Sequence, residues 1–159
     1  MKTQIASATS DLEDYSESLL DSGFRCAEAV LLTVARQHNI ESPLIPAIAT
    51  GFCSGIAQTS GMCGAVSGGI LGLNLVYGRD RADESAGKNY AAVQSLVAEF
   101  KTAFGATGCS ELLGCDLATA EGKQSFRENK LHVRCREYTR AATKLALALS
   151  DDAAQLDKA

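Results

Sequence analysis

Residues 42–78 run for thirty-seven positions without one charged side chain, in a chain where 21% of residues are Asp, Glu, Lys or Arg. A neutral stretch of that length has to be shielded from water, so it marks the inside of the fold and not its surface. It also holds eight of the fourteen glycines (Gly51, Gly55, Gly61, Gly64, Gly68, Gly69, Gly72 and Gly78) and two of the six cysteines, Cys53 and Cys63. Glycine at this density lets backbone, or a compact inorganic group, come close. The run therefore points to a buried cysteine site without naming what the site acts on. It does not span a membrane: Pro43, Pro46 and Gln58 to Gly61 interrupt it. What is left, Met62 to Tyr77, falls short of the ~20 apolar residues a helix needs to cross.

The remaining pattern is helical. Leu12, Tyr15 and Leu19 give an amphipathic helix that ends near Ser22 and Gly23, and a second runs from about Cys26 to His38 with Val30 and Val34 inward. Pro43 and Pro46 open a short helix over Ala47 to Thr50, and Gly51 to Gly61 reads as an irregular loop. The helix over Met62 to Tyr77 carries Gly64, Gly68 and Gly72 at a spacing of four. Each glycine there costs roughly 1 kcal/mol against alanine, so the stripe is expected only where close packing repays it. Ala86, Tyr90, Val93, Val97, Phe100 and Phe104 form a helix stopped by Gly105. A short turn over Ser110 to Leu113 is followed by a loop with Gly114 and Gly122. The last helix bears Leu131, Cys135, Tyr138, Ala142, Leu145 and Leu149 on one stripe. No segment alternates with period two. The expected fold is all-α: one domain over 1–159, a bundle of five or six helices around a buried glycine-rich helix. Its core lies at about 8–151, with frayed ends at 1–7 and 152–159.

Composition narrows the partners. A chain of 159 residues fits one domain. Net charge is −4 and the pI about 5.2, with basic residues scattered apart from Arg134, Arg136 and Arg140, so nucleic acid is not an expected partner. Asp11, Glu13, Asp14 and Glu17 read as a solvated acidic helix face. The first twenty-one residues lack the basic and apolar regions of a signal peptide, which points to the cytoplasm. Thiols there stay reduced unless they are catalytic or bound to metal. The glycine stripe also offers a face for a second copy, hence a homodimer.

A single free cysteine packs as a small hydrophobe; six without a CxxC pair ask for more. Cys26, Cys63 and Cys109 fall at expected helix N-termini. Unpaired N–H groups and the macrodipole there favour the thiolate, the reactive and metal-ligating form. Cys135 falls mid-helix on the apolar stripe of the last helix, and Cys53 and Cys115 stand in glycine-flanked loops.

The segments Gly23-Phe-Arg-Cys-Ala-Glu-Ala-Val30, Met62-Cys-Gly-Ala-Val-Ser-Gly-Gly69 and Phe104-Gly-Ala-Thr-Gly-Cys-Ser-Glu-Leu-Leu-Gly114, with a final Cys135, occur in that order. Together they resemble the C-GCAxxG-C-C family of redox-active proteins over about Ser16 to Leu147. The resemblance implies an α-helical domain with four shared cysteines, matched here by Cys26, Cys63, Cys109 and Cys135. Cys53 and Cys115 are additions beyond the four. A related domain occurs in split-Soret cytochromes, but no CxxCH is present, so covalent haem does not carry over.

Two redox chemistries suit such a set. The thiols cycle to disulfides as a thiol-dependent oxidoreductase, with Cys63 attacking and another cysteine resolving, against an unidentified redox partner. Alternatively the four cysteines ligate an iron–sulfur cluster, with Gly64 and Gly68 making room for the cofactor. A non-enzymatic reading has zinc closing the fold through Cys109, Cys115, His132 and Cys135. No GxSxG, Walker A or Rossmann signature occurs.

Overall fold

A computed structural model describes the backbone of residues 2–156 and the side chains of residues 10–151. The frayed ends expected at 1–7 and 152–159 lie outside the residues whose side chains are described. The described chain is all-α, with one isolated antiparallel bridge between Met62 and Gly108. It holds eight helices where five or six were expected: α1 Lys2–Asp21, α2 Cys26–Gln37, α3 Cys53–Gln58, α4 Gly64–Tyr77, α5 Gly87–Phe104, α6 Cys109–Leu113, α7 Ala120–Glu128 and α8 His132–Leu156. A 3-10 segment, Ala47–Phe52, precedes α3.

Helix α4 has α2, α5 and α8 around it. Its N-terminal half, Gly64 to Gly69, is buried, and the helix lies flat on α2 because its facing positions lack a side chain. A Cβ added at Gly68 would stand 2.6 Å from the Ala27 carbonyl oxygen and 2.8 Å from its Cα; one at Gly72 would meet Val34 at 2.8 Å. The glycine stripe is therefore covered within the chain, which removes the face assigned to a second copy. On the other flank Leu73, Leu96, Ala146 and Leu147 join α4 to α5 and α8.

Two elements differ from the sequence reading. Gly122 sits inside α7, whose N-terminus is capped by the Thr119 hydroxyl accepting from the Gly122 N–H at 2.9 Å. The supposed loop over 51–61 contains α3, in which Ser54, Gly55, Ile56 and Ala57 all take left-handed φ/ψ. Three of those four carry side chains, and each such residue costs ~1–2 kcal/mol. Helix α1 is fastened to α8 by charge: Arg140 pairs with Glu13 (3.1 Å) and Asp14 (2.7 Å), and Arg136 with Asp21 (2.6 Å) and Glu17 (3.8 Å). The acidic face of α1 is thus partnered over Glu13, Asp14 and Glu17, not simply solvated.

Candidate functional site

Local structure brings the cysteines together from five places in the chain. Cys26 is the first residue of α2, whose start is fixed by Glu28: its carboxylate accepts from the Arg25 N–H at 2.9 Å and from the Thr50 hydroxyl at 2.7 Å. Cys63 caps α4 and Cys109 opens α6. Two backbone hydrogen bonds run between their segments, Cys63 N–H to Thr107 O at 2.8 Å and Cys109 N–H to Gly61 O at 2.9 Å. That two-bond ladder holds Cys63 and Cys109 side by side. Cys135 lies in the first turn of α8, because that helix starts at His132. This corrects its mid-helix placement.

Cys26, Cys63, Cys109 and Cys135 all line one cavity of about 50 Å³. Its remaining wall is mostly apolar, with Leu112, Leu113, Leu117, Phe126 and Tyr138. Tyr138 donates to the Leu112 carbonyl at 2.9 Å and packs edge-on against Phe104, centroids 5.0 Å apart, which closes the floor. Gly64 also lines the cavity. A methyl group there would overlap the Cys26 sulfur and press on the Phe52 carbonyl oxygen at 3.0 Å. Gly68, paired with Gly64 as a cofactor residue in the sequence reading, is instead covered by Ala27. A second space of about 410 Å³ opens outward from the same place, and Cys26, Ser54, Leu117, Phe126 and Cys135 belong to both walls. Cys26 and Cys135 thus stand at the neck between cleft and chamber, both partly exposed, while Cys63 and Cys109 are deep, each 7% exposed.

Burial works against the thiolate expected at Cys63. The backbone N–H groups of Ala65 and Val66 at the α4 N-terminus do favour its thiolate, but burial outweighs them and pushes the thiol from 9.0 up to about 11. Burial, then the neighbouring Cys115 and Asp116, push Cys109 to about 11. Burial, then Cys63, Cys109 and Cys115, push Cys135 to about 12. All three are protonated thiols at neutral pH.

The thiol that sequence reasoning left aside is Cys53. It is buried, its sulfur 3.6 Å from the Ala49 carbonyl oxygen, and Cys26 is its neighbour. The adjacent Cys26 thiol, then burial, hold Cys53 firmly protonated. A CxxC spacing would have signalled such a pair, but Cys26 and Cys53 come from segments joined only in the fold, by the Thr50–Glu28 hydrogen bond and by the packing of Ala27 and Leu31 against Ala49 and Cys53. Cys115 follows the left-handed Gly114 and packs at the edge of the cluster without lining the chamber.

All six cysteines are free thiols. Among the described residues no group of three or more His, Cys, Asp or Glu side chains stands close enough together to hold a metal ion. The zinc set is split: His132 lines the outer cleft, Cys109 only the chamber, and Cys115 neither. The four cysteines named for a cluster share a cavity but not a ligand geometry. No described helix is long and apolar enough to cross a membrane.

A family model described as "Putative redox-active protein (C_GCAxxG_C_C)" matches residues 24–149. No curated protein and no solved structure matches the chain.

Proposed function

The chain belongs to the C_GCAxxG_C_C family, and from that premise we propose that it performs thiol–disulfide exchange at the cysteine chamber, with Cys26 as the attacking thiol. The observation that carries this reading is the shared cavity: four cysteines, far apart in sequence, line one small, mostly apolar space. Cys26 has the access the reaction needs, since it faces both cleft and chamber from the first turn of a helix. Cys63, Cys109 and Cys135 are held protonated by burial and serve as a reserve of reducing equivalents.

In the step proposed, the Cys26 thiolate attacks one sulfur of an incoming disulfide RSSR. A protein–S–S–R bond forms and RS⁻ leaves. A second protein thiol gives up its proton and attacks the Cys26 sulfur, expelling the other RS⁻. Two thiols lose two electrons, the disulfide gains them, and two RSH leave. The buried, apolar floor keeps water and stray oxidants from the inner thiols.

The test is a thiol count. Fully reduced protein is exposed to hydroxyethyl disulfide, quenched in acid, unfolded and alkylated. Six reactive thiols should fall to four and return to six with reductant, and Cys26→Ser should prevent the internal disulfide. A count that stays at six, or a visible chromophore in the purified protein that dithionite bleaches, would overturn the thiol reading.

A further inference from the structure

The outer cleft has a charge pattern at odds with the rest of the molecule. In a chain of net charge −4, its charged lining is Arg25, Lys123, Arg127 and Arg136, with no Asp or Glu. Arg136 is already committed to Asp21 and Glu17. Among the described residues no carboxylate lies within ion-pair reach of Arg25, Lys123 or Arg127. Lys123 and Arg127 stand four residues apart on α7, so two like charges share a face of one short helix. Such a pair is unfavourable when nothing negative lies between its members. The rest of the lining is mostly apolar, with Leu20, Phe24, Leu117 and Phe126 beside Ser54, Gln58 and His132, and it includes Cys26 and Cys135, which the cleft shares with the chamber. At about 410 Å³ the cleft is in the size range of small-molecule sites.

From this arrangement we infer that the cleft binds small organic anions, and that the substrate of the chamber is a low-molecular-weight disulfide bearing carboxylates. The inference rests on the thiol reading above and names its substrate class. Arg25, Lys123 and Arg127 hold the acid groups at the rim while the apolar part of the molecule lies on the walls, which brings its S–S bond to Cys26. Electron flow is unchanged: Cys26 sulfur displaces one carboxylated thiolate, and a second protein thiol displaces the other.

Three disulfides with the same bond and different charge decide it: dithiodipropionate (dianion), hydroxyethyl disulfide (neutral) and cystamine (dication). Their rates of oxidising the reduced protein should fall in that order. The dianion should lead the neutral compound by about tenfold at low salt, a lead that potassium chloride erodes. In Lys123→Gln/Arg127→Gln the ratio of those two rates should collapse toward one. Separately, dithiodipropionate should bind Cys26→Ser protein in calorimetry, and the added double substitution should weaken that binding. Oxidation by all three at equal rates, with no binding to Cys26→Ser, would overturn the anion site and leave the thiol chemistry standing. Binding without oxidation by any of the three would retire the thiol chemistry and leave the anion site standing.

Discussion

At the scale of single residues, reactivity is decided by burial more than by position on a helix. Cys63 has the helix N-terminus that favours a thiolate, with the Ala65 and Val66 N–H groups turned to its sulfur, yet it is pushed up to about 11. The four family cysteines were legible in the sequence because their flanking motifs are ordered and specific. Their chemistry was not legible, since desolvation depends on what closes over each sulfur. Cys53 shows the same limit from the other side. Nothing in its glycine-flanked segment announces a partner, and only the packed fold brings it against Cys26. We propose Cys53 as the resolving thiol, a role the sequence reading left open. Cys53→Ser protein treated with hydroxyethyl disulfide should therefore stop at a mixed disulfide on Cys26, seen in intact mass as one retained hydroxyethylthio group. The normal protein should proceed to an internal disulfide and retain none. Equal loss of the adduct in both would remove Cys53 from the reaction.

Among the elements, the long helices were readable and the short ones were not. The expected stripe of α5 includes Phe100, fully buried, though Tyr90 on it is exposed and the buried Leu96 lies beside it; periodicity over eighteen residues still carries such a helix. Helix α7 has one large apolar residue, Phe126, in nine, so it offers no stripe and Gly122 made it look like a loop. Helix α3 is harder still: left-handed φ at Ile56 and Ala57 contradicts the local preference of both residues. Tertiary packing around Cys109 and Gly61 must supply what the local sequence does not. The glycine helix gives a prediction whose sign distinguishes packing from propensity. By propensity alone, Gly68→Ala in the interior of α4 should stabilise by ~1 kcal/mol. Its new methyl would instead meet Ala27 backbone at 2.6 and 2.8 Å, atoms that cannot turn aside. Overpacking of this kind costs ~1–3 kcal/mol. The expected net effect is a loss of stability in urea unfolding. A midpoint at or above that of the normal protein would mean that α2 and α4 have room to part.

For the whole molecule, the protonated thiols couple folding to pH. Cys63, Cys109 and Cys135 ionise near 9.0 when the chain is unfolded but at about 11, 11 and 12 when folded. Below pH 9 both states keep these protons, and the stabilisation by burial is fully present. Above it the unfolded chain loses its protons first and so binds fewer than the native state. Stability then falls with rising pH until the folded thiols ionise in turn. Other groups also contribute to the pH dependence, so the normal protein alone cannot assign the slope. Cys63→Ala/Cys109→Ala removes two of the three groups while leaving those others in place. Its unfolding midpoint should be lower at pH 8, because two sulfurs are lost from the packed wall, but should decline less between pH 9 and pH 11. The two curves should therefore converge as pH rises. Parallel curves would mean that the chamber admits enough water for Cys63 and Cys109 to ionise as they do in the open chain. A wet chamber would also leave those thiols as exposed to attack as Cys26. The division between a reactive neck and a protected interior thus stands or falls on this one slope.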